Sequence, residues 1–374
     1  MDYSLEEYKE HIGRVRVFVK ETVAPAARET DGKEAFPLAA VDEMKKRGLF
    51  GIPFGTETGG AGFDYTAYAL TIEEIAKACA STAVILSTHT SLACYPVAEF
   101  GNDLQKEKFL RPLLAGEKLG AFALTEPGAG SDVGAVSTVA REENGRYIIN
   151  GEKIFITNAG YAGVYIVFAK NASGKLSAFL VPADTPGFEI AGYEKKLGIR
   201  GSTAGHLVFQ ECAVPKENLL GDPNGGFKIA MTALNAGRIA IAAQALGIAE
   251  GAFDLAAGYV KERKQFGKSI GEFQNTRFSL AEMRTEIEAS RYLMLHAAYL
   301  LSRGLPHTKE AAMAKLKCSK TADVVTTACL QLLGGYGYTG RYDAERFFRD
   351  ARITQIYEGT SEIQKIVIST IELK

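Results

Sequence analysis

The chain has 374 residues, of which 47% are hydrophobic, enough for about two to three domains with substantial cores. Its 43 basic and 44 acidic residues leave a net charge of -1, which gives no general electrostatic reason to bind nucleic acid or an anionic membrane. The five cysteines (Cys79, Cys94, Cys212, Cys318, Cys329) form no C-x-x-C and the five histidines no H-E-x-x-H, so buried reduced thiols are expected and a metal site is not. The most apolar run, Ile239 to Ala249, is short for a membrane span and is flanked by Arg238 and Glu250. The acidic start, Met1 to Glu7, shows neither a signal-peptide core nor an Arg-rich transit pattern, and cytoplasmic residence is the expectation.

In chain order, the first 118 residues read as helical. Ser4 to Val23, Pro37 to Arg47, Asp64 to Ala80 and Leu104 to Ala115 carry apolar residues at three- and four-residue spacing, around a Gly-rich connector from Gly51 to Gly62. Residues 119–227 change texture. Short β-branched and aromatic runs (Tyr147-Ile149, Ile154-Thr157, Val164-Phe168, Leu207-Phe209) alternate with turn signals such as Asn144-Gly145 and Asn150-Gly151, which predicts an antiparallel β domain. Residues 228–374 return to long Ala- and Leu-rich amphipathic segments with a single proline, Pro306. Helices, then strands, then helices make an α+β chain and argue against alternating βαβ units. Asn171-Ala172-Ser173 matches a glycosylation sequon, but chance explains it without a secretory signal.

Three segments carry candidate chemistry. Ala121 to Asp132 runs from a strand-like stretch into the Gly-rich loop Pro127-Gly128-Ala129-Gly130, whose free N–H groups and hydroxyls suit a polar ring or a phosphate. Phe155 and Thr157 stand two apart and in a regular strand share one face, an aromatic plate beside a hydroxyl; a strand Phe is equally often core. Ile356 to Gln364 holds a lone carboxylate, Glu358, before a glycine and a helix-start signal, with Ser361-x-x-Gln364 read as a capping box. Such a connector mounts a general base well, although a surface Glu in a helix–helix turn fits the stretch too. Gly335-x-Gly337-x-x-Gly340 matches the dinucleotide fingerprint as a string. It follows the helical segment Ala328 to Leu333 rather than a strand, so the mechanism of that motif is missing.

Thr125 to Asp132, Phe155-Ile156-Thr157-Asn158, Arg263-Lys264-Gln265-Phe266-Gly267, Gln331 to Gly335 and Tyr357 to Ser361, in this order and spacing, resemble the acyl-CoA dehydrogenases, nearest their short-chain, butyryl-CoA-type branch. The resemblance runs from the first helix to the last residues. It implies an N-terminal helical domain (1–118), a middle β domain (119–227) and a C-terminal four-helix-bundle domain (228–374). It further implies FAD as cofactor and dehydrogenation of a short acyl-CoA, Glu358 removing the α-proton as the β-hydrogen leaves as hydride to flavin N5. The thioester carbonyl would be polarised by the Glu358 backbone N–H and a flavin ribityl hydroxyl. Burial beside apolar substrate would raise the Glu358 pKa.

By the same resemblance Phe122, Leu124, Thr125 and Ser131 would contact the flavin, Ser131 also lying near CoA. Phe155 would lie against the ring system with Ile156 beside it, and Thr157 would bond near N5. Many relatives have Trp at position 155, whereas this chain has no Trp at all. Arg263, Phe266 and Gln274 would reach the adenine and pyrophosphate of FAD in a neighbouring subunit, with Gln331, Leu332, Gly334 and Gly335 across that site and Thr360 and Glu362 as further contacts. A shared cofactor site implies a homo-oligomer, a dimer of dimers. Asn235 and Arg238 would contact CoA, Asn235 standing where Asp is common; Arg238 would bind CoA or pair with Glu358, and Gly359 would lie against substrate. Branched-chain relatives carry the base on the Asn235-Arg238 helix, but Gly237 excludes that here. A dicarboxylyl substrate is disfavoured because no Arg occurs between Arg47 and Arg111. Electrons would pass to an electron-transfer flavoprotein, in either physiological direction. The alternatives are an acyl-CoA oxidase, against which the short C-terminal segment after Glu358 argues, and a non-catalytic acyl-CoA-binding scaffold, against which Glu358 and Thr157 argue.

Overall fold

Amphipathic periodicity produces the N-terminal helices where it predicts them. The computed structural model describes residues 5–373; Ser4, the expected first helix start, lies outside them. Helix α1 (Lys9–Phe18) runs through a π-turn (Val19–Val23) into α2 (Ala24–Gly32), so the first helical rod extends nine residues past the expected end at Val23. α3 (Leu38–Lys46) and α4 (Tyr65–Ala76) follow, α4 capped by the Asp64 carboxylate, which accepts from the Ala67 N–H at 3.0 Å. A further helical rod went unread: α5 (Ala80–Ser87), a π-helical turn (Thr88–Cys94) and α6 (Tyr95–Phe100). From Ala80 to Val97 every residue is buried, so there is no polar face to create a period. The segment expected from Leu104 to Ala115 is α7 (Asp103–Gln105), a π-turn (Lys106–Leu110) and α8 (Arg111–Leu114).

The middle sheet has eight strands: β1 (Leu119–Ala123), β2 (Val139–Glu143), β3 (Arg146–Thr157), β4 (Ala162–Lys170), β5 (Leu176–Pro182), β6 (Phe188–Tyr193), β7 (Ala204–Pro215) and β8 (Leu219–Leu220). The order is β6-β7-β3-β2-β4-β5-β8, with β1 beside β4. The expectation of a purely antiparallel sheet is corrected here, since β1 runs parallel to β4 and β2 meets β4 in parallel at Val139 and Lys170. β1 arrives from the helical region instead of through a hairpin, so no turn dictates its direction. Residues of β4 alternate between two cores. Val164, Ile166 and Phe168 face the main core shared with the helices, and Tyr165, Val167 and Ala169 face a smaller core with β3, β5 and β7. Burial on both faces explains why β4 reads as an unbroken apolar run.

The two Asn-Gly signals part company. Asn144 (φ 50°) and Gly145 (φ 74°) form the β2–β3 hairpin turn, as expected. Asn150-Gly151 is no turn: it lies within β3 where the register against β7 shifts. Gly151 (φ 145°) sits against Thr138, whose Oγ1 lies 2.5 Å from where a Cβ would be. That makes it a bulge.

The rest is helical: α9 (Gly226–Glu262), a small hairpin of β9 (Lys264–Gln265) and β10 (Lys268–Ser269), α10 (Gln274–Ser302), α11 (Thr308–Leu333), α12 (Gly335–Tyr338), α13 (Ala344–Ile353) and α14 (Ser361–Glu372). α9 is long and apolar enough to cross a membrane by length and composition, yet 78% of its most apolar window is buried inside the protein. It is the central helix of the main core. α13 is clamped from two sides: Arg349 pairs with Asp31 of α2 at 2.6 Å, and the Asp350 carboxylate accepts from the Ile199 N–H beyond β6. These ties fix the turn that follows α13, where the candidate site begins.

Candidate active site

The turn between α13 and α14 is shaped by donors aimed at its carbonyls. Glu358 (φ 52°) and Gly359 (φ 92°) are consecutive left-handed residues, and for a glutamate that conformation costs about 1–2 kcal/mol. Gln364, fully buried, donates its amide to the carbonyls of Glu358 (3.3 Å) and Gly359 (2.8 Å), and the Lys315 ammonium donates to the same Gly359 carbonyl at 2.8 Å. The helix cap differs from the expected one. Thr360 is the N-cap, its Oγ1 accepting from the Ile363 N–H at 3.3 Å. Gln364 is turned back to the Glu358–Gly359 carbonyls, so the Ser361–Gln364 capping box does not form.

Glu358 is half-buried, with one carboxyl oxygen shut away from solvent. Its Oε2 is buried without a hydrogen-bond partner and lies against Gly237 of α9, 2.0 Å from where a Cβ would stand. The Glu358 N–H has no acceptor among the described residues. Burial pushes the carboxyl up to about 8, against the opposing pull of Lys315 and Arg238. Both cations act on it through space and hydrogen-bond elsewhere, Arg238 to Asn235 and Lys315 to Gly359, so no direct Arg238–Glu358 pair is formed among the described residues. Arg238 is buried and donates to the Asn235 Oδ1 at 2.7 Å, while the Asn235 amide donates to the Thr308 Oγ1 at 3.1 Å. The aromatic neighbours are occupied as well. Tyr357 donates to Gln244, and the Tyr68 hydroxyl is bonded to the Ser87 carbonyl at 3.2 Å.

The rim of the sheet carries the second group of expected residues. Glu126 and Lys153, both essentially unexposed, pair at 2.7 Å; Lys153 also donates to the Leu124 carbonyl, and Glu126 accepts from Ser137 and from the Thr138 N–H. One buried ion pair therefore anchors the whole loop from Thr125 to Thr138. Ser131 is exposed, Thr125 and Thr157 are half-buried, and Phe122, Leu124 and Ile156 are buried, leaving these last three mainly their backbones to offer. Strand alternation does not relate Phe155 to Thr157 as expected, because the register shifts between Lys153 and Ile156 and Phe155 itself takes φ 60°. That bulge turns the Phe155 ring outward, 58% exposed. At the strand end Asn158 donates to the carbonyls of Ile85 and Gly120 but leaves its buried Oδ1 unpartnered.

A third group lies elsewhere. Arg263, Leu332, Gly334 and Gly335 line one open cleft of 660 Å³, with Tyr336 under the Arg263 guanidinium at 5.6 Å. Phe266 sits at the tip of the β9–β10 hairpin at φ 52°, 93% exposed, while Gln274 and Gln331 are exposed nearby in sequence at the ends of α10 and α11. Neither Phe155, Thr157 nor Glu358 lines this cleft. The string Gly335 to Gly340 follows α11, a helix, as read from the sequence. Thr360 and Glu362 belong to the Glu358 turn. One chain thus presents two separate sets of the expected cofactor residues.

Lys315 and Gln364 were missed by the sequence reading. A signal existed for Lys315, since Ala311, Ala314, Cys318, Ala322 and Val325 of α11 are all buried and the lysine falls on that same stripe.

A carboxyl against a helix glycine, an exposed ring on a strand bulge and a Gly-rich loop pinned by an ion pair are carried on one helix–sheet–helix fold. The chain belongs to the acyl-CoA dehydrogenase family: models of its N-terminal, middle and C-terminal domains match residues 6–117, 121–212 and 224–371. It is 51% identical over 374 residues to the short-chain specific acyl-CoA dehydrogenase of Clostridium acetobutylicum, covering 99% of each chain. Among solved structures it superposes on the butyryl-CoA dehydrogenase of Megasphaera elsdenii with TM-score 0.98, 44% identity and full coverage of both chains. A chain of the Acidaminococcus fermentans electron transferring flavoprotein structure matches with TM-score 0.98, 46% identity and full coverage of both. The protein is accordingly an acyl-CoA dehydrogenase, and FAD is its cofactor. The outward Phe155 ring, the unpartnered Asn158 Oδ1 and the open Gly334-Gly335 backbone beside Arg263 fit such a group.

Proposed function

We propose that the protein dehydrogenates short-chain acyl-CoA thioesters of the butyryl-CoA type at the α,β bond, with Glu358 as the base for the α-proton. The observation that carries this reading is the Glu358 carboxyl itself, on a half-buried residue, with Oε2 out of solvent and unpartnered and the group pushed up to about 8. A carboxylate so desolvated is a far stronger base than one in water. FAD, when bound, supplies the two-electron acceptor for the β-hydride. Proton and hydride leave together, and the thioester becomes the enoyl-CoA.

The chain's own residues set the conditions. The free N–H of Glu358 is a donor for the thioester oxygen as negative charge develops there. Asn235 and Arg238, locked to each other and to Thr308, are placed for CoA, and Gly359 keeps the turn bare for the acyl chain. Ser131 would touch both ligands. Phe122, Leu124, Thr125, Phe155, Ile156 and Thr157 would hold the ring system, with Thr360 and Glu362 beside it. Arg263, Phe266, Gln274, Gln331, Leu332, Gly334 and Gly335 would serve the cofactor of a second copy, because the cleft lined by Arg263, Leu332, Gly334 and Gly335 excludes the Glu358 turn. Such sharing supports a dimer at least, and the proposed assembly is a homotetramer, a dimer of dimers. Residues Thr82 to His89 are all buried and include no Arg, which favours a monocarboxylic acyl chain. His89 does not substitute for one, since burial lowers it to about 3 and it stays neutral. An electron-transfer flavoprotein is the proposed acceptor, supported by the likeness to the Acidaminococcus chain.

The test is anaerobic mixing with butyryl-CoA. The flavin should bleach, and Glu358→Gln should slow bleaching by about 10²- to 10⁴-fold while FAD stays bound. Undiminished reduction in that variant would remove Glu358 from the role.

A further inference from the structure

We infer that Lys315 is the positioning residue for the base: its buried ammonium braces the Glu358–Gly359 turn through the Gly359 carbonyl and sets a positive charge behind the Glu358 carboxylate. The inference rests on the reading of Glu358 as base.

Lys315 is fully buried on the core stripe of α11, and among the described residues its ammonium makes one hydrogen bond, to the Gly359 carbonyl at 2.8 Å. It has three donors and no ion-pair partner there. A buried ammonium with so little compensation is a poor stabiliser, and an apolar side chain of the same volume would pack the stripe better. The charge is retained where it costs folding energy, directly behind the turn that carries Glu358.

Every other charged or titratable neighbour is committed elsewhere. Arg238, from α9, is bonded to Asn235 in the segment assigned to CoA. Tyr68, from α4, is bonded to the Ser87 carbonyl, and Tyr357, in the turn itself, to Gln244. Glu362, from α14, is exposed and acts on Lys315 at longer range. Lys315 is therefore the one cation bonded to the backbone of the base's own turn among the described residues. Burial lowers it to about 8, with Glu358 pulling it back up, and Lys315 in turn holds Glu358 below where burial alone would put it. Gln364 supplies the natural control. It donates to the same Gly359 carbonyl without a charge, so geometry and electrostatics at this turn are separable.

The experiment uses the FAD-loaded enzyme and its Lys315→Met, Lys315→Gln and Gln364→Met variants. The Glu358 carboxyl band is isolated by infrared difference against Glu358→Gln and titrated, alongside flavin reduction by butyryl-CoA over pH. Removing the positive charge must raise the Glu358 pKa. Lys315→Met and Lys315→Gln should both move the titration and the rising limb of the rate to higher pH by about one unit, lowering the rate at pH 7 by about tenfold, with unchanged apparent Kd for butyryl-CoA. Gln364→Met should slow reduction without moving the limb. An unmoved titration in both lysine variants overturns the inference, as does loss of folded, FAD-loaded protein in both, which would make Lys315 structural only. If the parent enzyme is not bleached by butyryl-CoA, the substrate reading fails, while the infrared titration still decides on Lys315.

Discussion

Glu358 and Gly237 occupy one space: the carboxyl Oε2 lies 2.0 Å from the point where a Cβ on residue 237 would be. The two residues are far apart in sequence, one on a strained turn and one in the middle of α9, and the glycine is what lets the carboxylate lie against the helix.

Gly237→Ala follows directly from that contact. The added methyl meets the far ends of two flexible side chains, Glu358 and Leu92, so the fold should absorb it. Ala gains roughly 0.5–1 kcal/mol over Gly in a helix interior, offsetting crowding. The carboxyl, however, must move. The expected outcome is a melting temperature close to that of the parent with flavin reduction slowed by about tenfold or more, since small misplacements of a base are costly in rate. Unchanged reduction kinetics would show that the carboxyl does not work from this position.

The Glu358 pKa makes stability depend on pH. Its folded value, about 8, is above the ordinary glutamate value of 4.5, so the folded state holds the proton more tightly than the unfolded chain. This contribution is fully present below pH 4.5 and is lost as pH rises through about 8. Glu358→Gln, which cannot ionise, should therefore gain on the parent enzyme between pH 6 and pH 8.5. Thermal melts of both proteins at the two pH values measure it, and a constant difference would contradict the burial of this group.

Lys153→Met tests the loop anchor. Deleting one partner of a buried ion pair leaves an uncompensated carboxylate and costs about 3–5 kcal/mol. It would also free the Leu124 carbonyl and slacken the Thr125–Thr138 loop. Denaturant midpoints should fall and FAD should dissociate more readily, read as released flavin fluorescence. The acid limb has its own sign. Burial raises Glu126 but the bonds from Lys153, Ser137 and Thr138 outweigh it and hold it near 2, so its contribution is present above pH 4.5 and lost as pH falls toward 2.

Much of the architecture was readable from periodicity. α3 and α4 begin close to where apolar spacing and Asp64 place them, α4 ending four residues short of Ala80, while β4 and β7 contain expected β-branched runs and β3 joins two of them into one strand. Periodicity failed where it had nothing to contrast. The α5–α6 rod is buried all round from Ala80 to Val97, and its polar residues there, such as Ser87 and Thr90, are buried too. Dipeptide chemistry failed at Asn150-Gly151, because a positive-φ glycine serves a bulge as well as a turn, and only the neighbour Thr138, just before β2, decides which.

The candidate site divides in the same way. The order of local strings, the lone Glu358 before a glycine and the family they resemble were all present in the amino-acid sequence, because each depends on residues adjacent in the chain. What Glu358 touches was not. The pairings of Gly237 with its carboxyl, Lys315 with the Gly359 carbonyl and Lys153 with Glu126 join distant segments, and the outward turn of Phe155 comes from a register shift against β7. A one-dimensional pattern assigns a residue to the inner or outer face of its own element. Which residue of another element it meets there is decided by how helices cross and strands slip, and at this site those meetings set both the charge and the room around the base.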